Sequence, residues 1–113
     1  MMIYKIFRAD EWAAFQAAGQ TLGALIDLDD GYVHLSTGSQ VGRTVELYFS
    51  GAEGLKILAL EAEKLGDDLK WEPSRGGDLF PHLYRALHMD DVAWQMDLPL
   101  VGGKHNFPKG VLE

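Results

Sequence analysis

The chain has 113 residues, a formal net charge of −7, 47% hydrophobic residues and no cysteine. That is one domain, residues 1–113, large enough to bury a core without disulfide or metal. The missing thiols exclude disulfides, thiolate nucleophiles and cysteine zinc sites. The acidic balance works against a phosphate backbone, and no apolar run reaches the ~20 residues of a membrane-spanning helix, so a small-molecule ligand is the expected partner.

Residues 2–8 are rich in Ile, Tyr and Phe and read as a strand. Met1 to Phe7 is apolar but short, without a basic leader or small-residue cleavage site, so no signal peptide is expected and a cytoplasmic location is the default. Asp10 suits a helix N-cap, Glu11 a first turn, and Trp12 and Phe15 share a face, which predicts a helix over 10–18 stopped by Gly19. Gly19 to Gly31 reads as a connection, with Leu25, Ile26 and Leu28 packing it down locally and Asp30-Gly31 turning into the next strand.

Tyr32 to Ser36 reads as a short strand with two faces. Val33 and Leu35 point to the core; Tyr32, His34 and Ser36 point the other way. Thr37 to Gln40 matches a capping box, and Val41, Val45 and Tyr48 follow on one helical stripe, with Thr44 beside it and Gly51 as the stop. Leu55 to Ala62 is an almost continuous apolar run, suited to a central strand buried on both faces. Leu69 to Glu72 alternates and stops at Pro73; Pro73 to Asp78 is a loop. Phe80 to Tyr84 has two readings. Extended, it places Phe80, His82 and Tyr84 on one face; helical, Pro81 opens a turn toward Leu87. Val92, Trp94, Met96 and Leu98 alternate as a half-buried strand, and the tail after Pro99 reads as irregular. Five or six strands with two helices, both in the first half, predict a segregated α+β fold.

The chemistry-bearing residues fall in three stretches. His34 and Ser36 share a strand face beside a helix N-terminus, where free N–H groups favour electron-rich ligand atoms; the alternative is a structural histidine with Ser36 and Thr37 as plain caps. His82 and Tyr84 converge on His34 if their strands are neighbours; otherwise Phe80 and Tyr84 are core aromatics. Glu72 suits a general base or a carboxylate stabilising positive charge on a sugar carbon, and Trp71 a stacking platform; the plainer reading is a core indole and a solvated carboxylate. Arg75 in the loop suits a phosphate contact or plain exposure. No histidine pair has helical zinc spacing, so no metal site is expected, although His82 and His88 with Asp90 or Asp91 leave a metal-assisted hydrolase as a lesser alternative. There is no P-loop, no GxGxxG and no G-x-S-x-G elbow.

Ile3-Tyr4-Lys5-Ile6, Gly31 to Thr37 with Gln40-Val41, the Leu58–Leu60 strand, Trp71-Glu72, and Phe80 to Tyr84 together resemble domain-of-unknown-function family 952, in order along nearly the whole chain. The segment from Leu22 to Asp30 departs from the family pattern. The resemblance implies an ADP-ribosyltransferase-like fold, in which small antiparallel sheets form a cleft for a nicotinamide dinucleotide. It implies that His34 and Ser36 hold the ribose and nicotinamide, that Tyr48 or Tyr84 sandwiches the nicotinamide, and that Glu72 stabilises an oxocarbenium-like transition state, as carboxylates do in glycoside cleavage. On this reading His34, Glu72 and His82 are catalytic; Tyr32, Ser36, Thr37, Trp71, Arg75 and Tyr84 bind ligand; and the cofactor, if there is one, is NAD. The alternative is a non-catalytic module that keeps the cleft without the transferase chemistry. Neither ligand nor oligomeric state follows from the sequence.

Overall fold

The computed structural model describes residues 1–112. Strand β1 (Met2–Phe7) runs into helix α1 (Ala9–Ala18), then β2 (Gln20–Thr21), helix α2 (Leu25–Asp30), β3 (Val33–His34), β4 (Ser36–Thr37) and helix α3 (Gly38–Tyr48). The second half is strands joined by short turns: β5 (Leu55–Glu61), β6 (Leu69–Pro73), β7 (Leu79–Leu83), β8 (Leu87–His88), β9 (Val92–Leu98), β10 (Leu100–Val101) and β11 (Lys104–His105). The fold is α+β, as the sequence predicts, with small antiparallel sheets; among the described residues it has three α-helices, all in the first half, where two were expected, and eleven short strands where five or six were expected.

A four-stranded sheet has the order β4-β1-β5-β9, and a three-stranded sheet the order β3-β7-β6. β2 pairs with β8 and β10 with β11. β1 and β5 are central, and both their faces are covered. On one face Ile3, Phe7, Leu58 and Leu60 meet Trp12 and Phe15 of α1. On the other, Tyr4, Ile6, Ile57 and Ala59 meet Val41 and Val45 of α3. This double burial is why the β5 segment is an unbroken apolar run.

The segment read as one strand over Tyr32–Ser36 is broken between two sheets. β3 pairs with β7 (His34 opposite His82), while β4 pairs with β1 (Ser36 opposite Tyr4). Leu35 turns the corner, its N–H donating to the Pro81 carbonyl at 3.0 Å. The two faces are as expected: Val33 and Leu35 are buried in the core. β4 covers β1 only at Ile3 and Tyr4, so the edge of β1 beyond Tyr4 stays open, and a cavity lies there.

Several expectations are corrected. α1 is capped by Arg8, two residues earlier than expected from Asp10; Glu11 Oε1 accepts from the Arg8 N–H at 2.8 Å. The Gly19–Gly31 connection contains β2 and α2, and Leu25, Ile26 and Leu28 are exposed while Asp27 is buried. α3 ends at Tyr48, which is exposed, with Phe49 as its C-cap ahead of Gly51. On β9, Leu98 is buried and Val92 and Trp94 are half-buried, but Met96 is exposed: β9 is an edge strand, and the covering elements do not reach its middle. The tail after Pro99 forms a hairpin, because Gly102 and Gly103 both take the positive φ that a two-residue turn demands. Phe80 to Leu83 is extended, which resolves the two readings of that stretch.

Candidate functional site

The cavity at the open edge of β1 measures about 950 Å³, within the range of small-molecule sites. Tyr32, His34 and Ser36 line it from the β3–β4 corner, Phe80 and His82 from β7, and Arg75 from the loop before β7. β-strand alternation accounts for part of this: Val33 and Leu83 point into the core while His34 and His82 face the cavity, and Leu35 at the corner touches both core and cavity. Exposed Leu25, Ile26 and Leu28 of α2 form part of its apolar wall.

Their exposure follows from Asp27. Its fully buried carboxylate accepts four hydrogen bonds. Oδ2 takes them from Lys5 Nζ and the Ala24 N–H, both at 2.7 Å; Oδ1 takes them from the His34 N–H at 3.0 Å and His34 Nδ1 at 2.5 Å. A carboxylate so satisfied fixes the rotation of a short helix against weaker apolar preferences. A side chain on Gly23 would overlap Asp27 Oδ2, so the close approach requires glycine there. Burial pushes the Asp27 carboxyl up, but the hydrogen bonds from His34 and the Lys5 charge outweigh it and hold the group at about 2. Lys5 is buried as well and also donates to the His34 carbonyl at 3.1 Å.

His34 is therefore held at both nitrogens, by Asp27 at Nδ1 and by Asp30 at Nε2, 2.9 Å away. His82, its cross-strand partner, is held at one. Nδ1 lies 2.9 Å from Glu72 Oε1, which also accepts from the Tyr84 hydroxyl at 2.6 Å. The donors from Tyr84 and His82 hold the Glu72 carboxyl below its ordinary value, and the carboxylate in turn pushes the Tyr84 phenol up to about 12. Tyr32 stands against the group, its ring centroid 4.1 Å from His82, 4.6 Å from His34 and 5.1 Å from Tyr84.

Ser36 belongs to a second cluster. Thr44 Oγ1 donates to the Gln40 carbonyl at 3.2 Å, so it accepts from Ser36 Oγ at 3.1 Å and from Arg75 Nη1 at 3.3 Å. Arg75 also lies over the Phe80 ring, 5.0 Å from its centroid, which holds a cationic fork at the cavity wall.

Of the residues singled out from sequence, Tyr32, His34, Ser36, Arg75 and His82 come together around the cavity, and Glu72 and Tyr84 join them through His82 and Tyr32. Thr37 and Trp71 do not. Thr37 is buried on the far side of the corner, where its hydroxyl pairs with Ser39 at 3.1 Å. Trp71 projects from the opposite face of β6 to Glu72, away from the cavity lining. The sequence reading missed Lys5, Asp27, Asp30 and Thr44. A lone lysine inside an apolar strand and a lone aspartate inside Leu25-Ile26-Asp27-Leu28 are the signal that could have paired the first two. Among the described residues, no three His, Asp or Glu side chains group as a metal would require; Asp91 is instead held by Arg85 at 2.8 and 3.0 Å. No helix among them is long and apolar enough to cross a membrane.

The family described as "Protein of unknown function (DUF952)" matches residues 6–95. No curated protein matches the chain. Among solved structures, the chain is similar to the crystal structure of protein CC0527 from Caulobacter crescentus, at 48% identity over 94% of each chain with a TM-score of 0.90. It is also similar to the solution NMR structure of CC0527, at 48% identity over 92% of this chain and 90% of that one, with a TM-score of 0.82.

Proposed function

We propose that this chain, which belongs to the DUF952 family of proteins of unknown function, binds an NAD-like or ADP-ribose-like ligand in the cavity between its two main sheets and acts on the ribosyl bond. The observation that carries this reading is the β3–β4 corner. His34 and Ser36, two residues apart, both face the cavity, and the ring is immobilised at both nitrogens. The preset His34 ring gives the ligand a fixed wall to pack against, and the Ser36 hydroxyl on the adjoining strand suits the ribose hydroxyls or carboxamide of such a ligand. Tyr32 offers a flat stacking surface, and Arg75, beside Ser36 and Thr44, offers charge and paired donors to a phosphate. Two antiparallel sheets meeting at a cleft are also what an ADP-ribosyltransferase-like architecture provides, so the resemblance and the geometry support the same ligand class.

The alternative is ligand binding without transfer chemistry. It is favoured by Glu72, which lies outside the cavity lining and has one oxygen occupied by His82 and Tyr84. A carboxylate committed to neighbouring side chains is a poor stabiliser of charge on a sugar carbon.

Both readings are tested by titrating isotope-labelled protein with NAD, ADP-ribose and nicotinamide and following amide shifts by NMR. Shifts centred on His34, Ser36, Thr44 and His82 are expected. Silence at millimolar ligand would overturn the ligand class. Release of nicotinamide from NAD separates catalysis from binding.

A further inference from the structure

His82 is the anomaly of the site. It is 2% exposed, lines the cavity, and its Nε2 is buried with no hydrogen-bond partner. Buried polar atoms are almost always satisfied, because leaving one unpaired costs stability. No other buried side-chain nitrogen or oxygen among the described residues is left so. The network around it fixes what this atom can do. Glu72 Oε1 is an acceptor, so the hydrogen at Nδ1 points to Glu72. In the neutral ring Nε2 then carries a lone pair. His34, by contrast, has an acidic oxygen at each nitrogen and offers no free lone pair.

We infer that His82 Nε2 is the subsite that accepts a hydrogen bond from an O–H or N–H group of the bound ligand, with Glu72 and Tyr84 as positioning residues that fix its tautomer and Tyr32 as the movable cover over it. The inference rests on the ligand reading above and deepens it. The ligand must bring a donor, as ribose hydroxyls and a carboxamide do, and a flat ring or sugar that displaces Tyr32 from the His82 face. Tyr32 suits this role: it is only half-buried, it stacks on His82 at an interplanar angle of 30°, and it follows Gly31, whose φ of 85° marks a turn. An unpaired nitrogen sealed beneath an aromatic ring in the free protein is a group kept for a partner at a cost to stability.

The test uses two substitutions in the full chain. His82→Phe keeps an aromatic ring against Tyr32 but removes Nε2 together with the Nδ1 that pairs with the partly exposed Glu72. His82→Gln places an amide oxygen near the Nε2 position. With ADP-ribose as probe, His82→Phe should weaken binding at least tenfold and His82→Gln by only a few-fold, while the His82→Phe melting temperature equals or exceeds that of the wild type. A structural role predicts the opposite pattern: lower melting temperature and unchanged affinity. Nitrogen-15 histidine spectra should show His82 in the free protein with its proton on Nδ1, and the Nε2 resonance moving on addition of ADP-ribose. Wild-type-like affinity in His82→Phe, or an Nε2 resonance unmoved by a ligand that shifts His34, would overturn this inference and leave the ligand class standing. A wild-type protein silent to ADP-ribose overturns the ligand class itself; a protonated Nε2 or a destabilised His82→Phe would still overturn the inference independently.

Discussion

Asp27→Asn should be among the most damaging isosteric changes available to this protein. The amide keeps the size of the carboxylate, and one oxygen can still accept from the His34 backbone N–H. The new NH₂ group must then face Lys5 Nζ and the Ala24 N–H, both 2.7 Å from the oxygen it replaces, so donors confront donors. Lys5, with 7% of its side chain exposed, is left with only the His34 carbonyl at 3.1 Å. Breaking a buried ion pair from one side costs about 3–5 kcal/mol, a large share of the ~5–15 kcal/mol that holds a domain together. At about 4 °C per kcal/mol for a chain of this size, the melting temperature should fall by roughly 15 °C. Urea unfolding should show a lower midpoint with an unchanged slope. The double variant Lys5→Met with Asp27→Asn should recover a good part of the loss, because it removes the stranded charge. A single-variant loss below about 1 kcal/mol would refute the reasoning, since no buried lysine could then depend on Asp27.

The same network predicts how the protein responds to acid. Asp27 is held at about 2 in the fold and titrates near 3.9 when unfolded, so its contribution of about 2 kcal/mol is complete above pH ~4 and lost as pH falls through 2; stability curves of wild type and Asp27→Asn should converge there, and a constant gap down to pH 2 would contradict the assignment. His34→Ala should cut ADP-ribose affinity at least tenfold by titration. The ring's bond to Asp27 makes a stability cost of about 1–2 kcal/mol the expected value in urea melts. Trp71→Ala should leave ADP-ribose affinity within about twofold, because the indole lies off the cavity lining; a larger fall in a calorimetric titration would place Trp71 at the ligand. Thr44→Val removes the acceptor shared by Ser36 and Arg75 and should weaken ADP-ribose several-fold while changing stability by only about 1 kcal/mol.

Local patterns carried much of this protein in plain view. The apolar β5 run announced a strand buried on two faces, Gly19 announced a helix stop, and the alternation of Val33-His34-Leu35-Ser36 put Val33 and Leu35 in the core and left His34 and Ser36 facing away from it. These features depend on period, capping and backbone sterics, which act within a few residues. His82 was likewise legible as a residue that would meet His34 if their strands paired. Thr37 and Trp71 fall outside the cavity lining, because adjacency in sequence does not decide which side of a sheet corner or which face of a sheet borders a cavity.

The sequence by itself determined the α+β class, the absence of thiol chemistry, the core faces of the central strands and the shared outward face of His34 and Ser36, both of which line the cavity. Only the tertiary structure decided that the strand carrying them breaks between two sheets and that α2 turns its leucines outward. It alone decided that Lys5 and Asp27, 22 positions apart, share a buried bond, and that His82 ends with one nitrogen tied and the other free. The reason is electrostatic. A buried charge takes its orientation from whichever partner can repay its lost hydration, and that partner is chosen by the packing of distant segments, which no local pattern records.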